Sequence, residues 1–116
     1  MIPSLQGRSP FQIAFIVRDV ELAVRESDAR LGAGPWRGWV FGPQGRGREY
    51  RGRPAEWTLR LALNSSHPQY ELVEPLAGPS IHADWLEERG SGFHHVGDVV
   101  ESLERTTAEM AAAGHL

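Results

Sequence analysis

Two stretches of this chain read as the same piece of structure used twice. Phe11 to Val17 is a short run rich in aromatic and β-branched residues, the pattern of a strand. Asp19 follows as a helix N-cap, with Val20, Ala23, Val24 and Leu31 at helical spacing, and Gly32, Gly34 and Pro35 then stop the helix. Near the other end, Phe93 to Val100 reads as a strand, Ser102 as a cap, and Leu103 to Ala113 as a helix ending at Gly114. One fixed offset lays Gln12 on His95, Ala14 on Gly97, Val17 on Val100 and Glu21 on Glu104. The order strand, cap, helix, glycine recurs, which is the mark of an internal repeat.

Between the two copies the pattern changes to strands. Residues 35 to 41, with Trp36, Trp39, Val40 and Phe41, read as a second strand, and 42 to 54 as a turn-like stretch rich in Gly and Arg. Trp57, Leu59, Leu61 and Leu63 alternate with Thr58, Arg60, Ala62 and Asn64, which predicts a half-buried strand. Gln69 to Glu74 predicts another, closed by Pro75, and Pro79 to Arg89 a short helix with Ile81, Trp85 and Leu86 inward. The expected fold class is therefore α+β, in a single domain over 1–116. A βαβββ module occupies 10–75, a linker with a short helix 76–92, and the strand and helix of a second, truncated module 93–116. An incomplete second module leaves strand edges and apolar surface open, so a covering partner is expected, a homodimer first of all.

Composition narrows the chemistry. The 116 residues include no cysteine, so disulfides and thiolate metal sites are excluded and any metal falls to His, Glu, Asp or Gln. A net charge of -3 gives no reason to expect nucleic acid or an anionic membrane as partner. No apolar run approaches the roughly 18 residues of a membrane span, and Met1 to Pro10 does not read as a signal peptide. A cytoplasmic location is the resulting expectation. All 12 basic residues are Arg, which fits a coding bias, but Arg46, Arg48, Arg51 and Arg53 crowd into one Gly-rich stretch. That stretch reads either as a solvated loop or as a clamp for a carboxylate or phosphate.

Among the five histidines, His67 lies in a polar turn and His82 on a short helix, both read as surface residues. His94 and His95 are adjacent in a strand and should point to opposite faces. Glu71 and Glu74 also fall on opposite faces of their strand. Glu71 lies amid apolar neighbours, where a carboxylate is costly unless paired or bound to a cation, whereas Glu74 reads as an exposed strand end. Gln12 is the polar residue of an otherwise apolar strand, either a weak oxygen ligand, a substrate contact or a satisfied amide.

Three segments, Phe-Gln-Ile-Ala-Phe-Ile-Val-Arg-Asp, Tyr-Glu-Leu-Val-Glu-Pro-Leu and Gly-Phe-His-His-Val-Gly, together resemble the vicinal oxygen chelate (glyoxalase, bleomycin resistance, dioxygenase) superfamily. The likeness is greatest to its methylmalonyl-CoA epimerase-like and glyoxalase-like branch. The resemblance implies a mixed sheet curved around a cleft, and in it a divalent metal (zinc, cobalt, manganese, nickel or iron) with Gln12, Glu71 and His95 at ligand positions. Gln12 stands where the family usually has His, and the fourth family position falls beyond Leu116. It implies a metal-dependent isomerase, epimerase or lyase acting on a small carbonyl or acyl-CoA substrate, with ring-cleaving dioxygenase chemistry also within the family. Arg46, Arg48 and Trp57 are the expected substrate contacts. The alternatives are a metal-free, antibiotic-sequestering type of binding protein walled by Trp36, Trp39, Trp57 and Phe15, or a truncated form without activity of its own.

Overall fold

A computed structural model describes residues 1–43 and 47–115. The first strand, β1 (Gln12–Ile16), lies inside the sheet and not at its edge. Asp19 ends the link after it by accepting a hydrogen bond from the Leu22 N–H, and α1 (Val20–Leu31) runs to Gly32, whose φ of 59° closes the helix in the left-handed region. Then come β2 (Trp36–Phe41), a small hairpin of β3 (Glu49–Tyr50) and β4 (Arg53–Pro54), β5 (Thr58–Asn64) and β6 (Gln69–Ala77). Ser80 caps α2 (Ile81–Arg89), β7 (Gly92–Gly97) follows, and Ser102 caps α3 (Leu103–Ala112).

The fold is α+β, built on one mixed five-stranded sheet of order β2-β5-β6-β1-β7. β1 pairs parallel with β6 and antiparallel with β7, and the remaining pairs are antiparallel. Both faces of the central strands are covered, and β5 buries residues on each of them, so it is not half-buried as its alternation predicted. On the front, Ile16, Leu59 and Val73 pack with Trp57, Leu61 and the α2 residues Trp85 and Leu86. On the back, Val20, Ala62 and Leu72 pack with Phe15, Val17, Ala23, Val24 and Trp36. The small Ala62 leaves room for α1, and Asn64 is buried there with its amide satisfied by the Ala33 carbonyl and the Tyr70 N–H.

Four further sequence expectations are corrected. Glu74 is not a free strand end: its carboxylate accepts the Val20 N–H at 2.9 Å, at the positive end of α1. Ile81 and Leu31 are exposed. The turn-like 42–54 stretch contains the β3–β4 hairpin, whose central Arg51 and Gly52 both have positive φ, as a tight right-twisted turn requires. Of the four aromatics proposed as walls of one cleft, Phe15 and Trp36 join the back cluster, Trp57 joins the front, and Trp39 is exposed. Phe15, Trp36, Tyr70 and Leu72 line a cavity of about 460 Å³ beneath α1.

β7 is an outer strand of the sheet, and exposed Phe93, Val96, Val99 and Leu103 lie on it and just beyond it. The chain's first turn, Pro3–Leu5, packs on α3, with the Ser4 N–H donating to the Glu109 carboxylate at 2.9 Å.

The link from β6 to α2 depends on Gly78. Its φ is +81°, and a Cβ there would stand 2.0 Å from the Glu56 carbonyl oxygen. Gly78→Ala should therefore lose more than about 1 kcal/mol in chemical denaturation. Gly7→Ala, with a similar φ of +74° but open space around it, should lose less.

Candidate front-face site

Alternation along β1 turns Gln12, Ala14 and Ile16 toward the front. The register then decides which polar residues meet. Ala14 pairs with Glu71 on one side and with His95 on the other. Its methyl group is too short to separate them, and Glu71 Oε1 approaches His95 Nε2 to 3.8 Å. Gln12 lies one rung further along, between Gln69 and Gly97, about 6.6 Å away at two residues of strand rise. Its amide N–H donates to Gln69 Oε1 at 2.9 Å.

The two adjacent histidines do not point apart. The β1–β7 register shifts between Ala14 and Phe15, so that His94 is the extra residue of a bulge. His94 consequently turns to the front beside His95, with Nδ1 to Nδ1 2.8 Å and ring centroids 5.0 Å apart. Trp85 meets the His94 ring edge-on at 4.9 Å, and His82 lies 5.5 Å from it. Arg89 stacks on Trp85 at 4.6 Å.

Burial dominates the electrostatics here. It raises the pKa of Glu71 and lowers that of His95. The His94 pKa is lowered by burial first and then by His95, and His82 falls to about 4 through burial and then the other two imidazoles. These shifts favour the uncharged rings, which weakens any ion pairing of Glu71 with His95, and 3.8 Å is too long for a hydrogen bond. A carboxylate only 16% exposed beside a neutral imidazole is a donor pair that suits a divalent cation. Among the described residues no group of three or more His, Cys, Asp or Glu is gathered to hold one, whereas catalytic zinc sites commonly use three protein ligands.

A comparison with protein families matches residues 11–115 to the Glyoxalase/Bleomycin resistance protein/Dioxygenase superfamily. The chain belongs to that superfamily. Solved structures agree on the fold. A methylmalonyl-CoA epimerase from Mycobacterium tuberculosis is 22% identical with a TM-score of 0.60, over 89% of this chain and 62% of that one. A hypothetical protein from Bacillus halodurans C-125 is 20% identical with a TM-score of 0.64, over 94% and 70%. A variant Streptomyces coelicolor methylmalonyl-CoA epimerase in complex with 2-nitronate-propionyl-CoA is 19% identical with a TM-score of 0.54, over 89% and 69%. The chain thus spans less than two thirds of the length of the first of these. Among curated proteins none matches.

Of the site residues read from sequence, this superfamily member brings Glu71 and His95 together and holds Gln12 apart on the next rung. Arg48 and Trp57 meet each other: the Arg48 guanidinium stacks on Phe41 at 4.2 Å and Trp57 at 5.2 Å, and donates to the Gly42 and Trp57 carbonyls. Arg51 and Tyr50 bind Asp84 on α2, tying the hairpin down. Arg46 lies outside the described residues. His82, read as a surface residue, is half-buried. Its spacing of three from Trp85 put both on one helix stripe, a signal available in the sequence. The bulge that turns His94 had no such signal.

The lowered His82 pKa sets a direction for acid stability. The unfolded chain takes up this proton near the ordinary value of 6.5, the folded chain only near about 4. Stability should be complete above pH 6.5 and fall as pH drops from there toward 4. Thermal melts across that range should show it, with His82→Gln flattening part of the slope. An unchanged slope would mean that His82 titrates normally.

Proposed function

We propose that this chain serves metal-dependent isomerase or epimerase chemistry on an acyl-CoA or small carbonyl substrate, with Glu71 and His95 as its two strong metal ligands. The observation that carries the reading is their meeting across Ala14, 3.8 Å apart on the covered front face. Family membership and the methylmalonyl-CoA epimerase neighbours support the substrate class. When bound, a divalent ion supplies Lewis-acid polarisation of a substrate carbonyl. The chain's own contributions are then distinct. Burial lowers the pKa of His95, which favours the uncharged ring with a lone pair to donate. Gln12, anchored by Gln69, offers its amide oxygen to the substrate from the next rung. Trp57 and Arg48, stacked together, are the contacts for the substrate's remainder, with Arg46 as a further cation. Gln12 on the next rung is the further candidate ligand within the chain, and a second copy of the chain is the proposed source of any other. Lyase and dioxygenase outcomes use the same donor pair and are separated by substrate.

A metal-free binding role is the second reading, favoured by the engagement of Gln12 with Gln69. Cobalt(II) titration followed by visible absorption distinguishes the two. Wild-type protein should bind cobalt, and His95→Ala and Glu71→Ala should each bind it at least about tenfold more weakly. Chelation should abolish deuterium exchange into methylmalonyl-CoA. Unchanged metal content in His95→Ala would sink the metal reading. Quenching of tryptophan fluorescence by a ligand without metal would support the second.

A further inference from the structure

We propose that His94 is a positioning residue for His95, holding it through a single proton shared between the two Nδ1 atoms and thereby setting which nitrogen of His95 faces Glu71 with a free lone pair. The direction of this effect rests on the metal reading above; the shared proton does not.

The contact leaves little choice. Two imidazoles whose Nδ1 atoms stand 2.8 Å apart need one proton between them, whatever the charge of the ring that donates it. Two lone pairs at that distance repel, and two N–H groups collide. The rings must therefore occupy complementary tautomers, one Nδ1–H and the other Nε2–H. The nitrogen of His95 that faces Glu71 is Nε2. When Nε2 is used as a donor to a cation, its proton must sit on Nδ1, and His94 Nδ1 becomes the acceptor. A metal-bound histidine is commonly oriented in this way by a group accepting its other N–H. Here that group is the neighbouring residue, an arrangement unavailable to two successive residues of a regular strand, whose side chains diverge.

Three features hold His94 in place. The bulge in β7 aims the ring to the front. Trp85 and His82, three residues apart on α2, pack against it at 4.9 and 5.5 Å. Arg89 stacks on Trp85 and closes that side. The ring is thus held between a helix stripe and its neighbour, and rotation away from His95 would run into α2.

Long-range proton–nitrogen NMR on the full chain with labelled histidine reads the tautomers directly. In metal-free protein His94 and His95 should show opposite tautomers, and the same tautomer on both would overturn the proposal. In zinc-loaded protein His95 should be the Nδ1–H form and His94 the Nε2–H form, and the reverse would overturn the orienting role. Zinc affinity supplies a second readout. His94→Leu should weaken it about 10- to 100-fold, while His94→Asn, whose side-chain oxygen can accept the same proton, should restore most of it. Equal losses in both variants would reduce His94 to packing. Should wild-type protein bind no zinc, the metal reading fails, and the metal-free tautomers alone decide whether the proton is shared.

Discussion

The register of three strands governs the front face. β1 is held parallel to β6 and antiparallel to β7, so a single small residue, Ala14, has Glu71 on one side and His95 on the other. A larger residue at Ala14, which is fully buried, would stand between the two polar groups. The pairing of a carboxylate and an imidazole is thus a product of backbone hydrogen bonding, since at 3.8 Å the side chains make no hydrogen bond of their own. Such a pair is preorganised, the condition in which a cation or a polar substrate group gains most from binding.

The two helices that cover the sheet do different work. α1 lies on the back and is joined to the sheet by apolar contacts, by the Arg60–Glu21 pair and by the Trp36 indole N–H donating to Asp28. α2 lies on the front, where it supplies Trp85 and Leu86 to the core and brings His82 toward the β7 histidines. It also anchors the β3–β4 hairpin through Asp84. One short helix therefore links the core, the imidazole cluster and part of the arginine-rich stretch, and a displacement of α2 would be felt in all three.

Local signals made much of the fold legible. Asp19, Ser102 and Gly32 mark helix ends by side-chain oxygen or positive φ, and these need only neighbouring residues to act. Glu71 was legible as a partly buried carboxylate because its strand neighbours are apolar. What escaped depends on partners remote in sequence. The bulge at His94 exists only against β1, and the capping of α1 by Glu74 spans 54 residues. β5 reads as one-sided because its back face uses Ala62 and Asn64, which carry no hydrophobic signature although both are buried. His82 was the exception, since its stripe with Trp85 was local and readable.

Strand β6 carries Glu71 toward the front and Glu74 toward the back, where it receives the first N–H of α1. A slip of β6 by one residue would exchange the faces of both carboxylates, leaving one charge in the back cluster and the helix end without its acceptor. A slip by two would keep the faces but carry both groups about 6.6 Å out of reach. The two glutamates thus act as a pair of pins through the sheet, one on each side. The same strand that arranges a reactive face is, for that reason, held in register from both sides of the sheet.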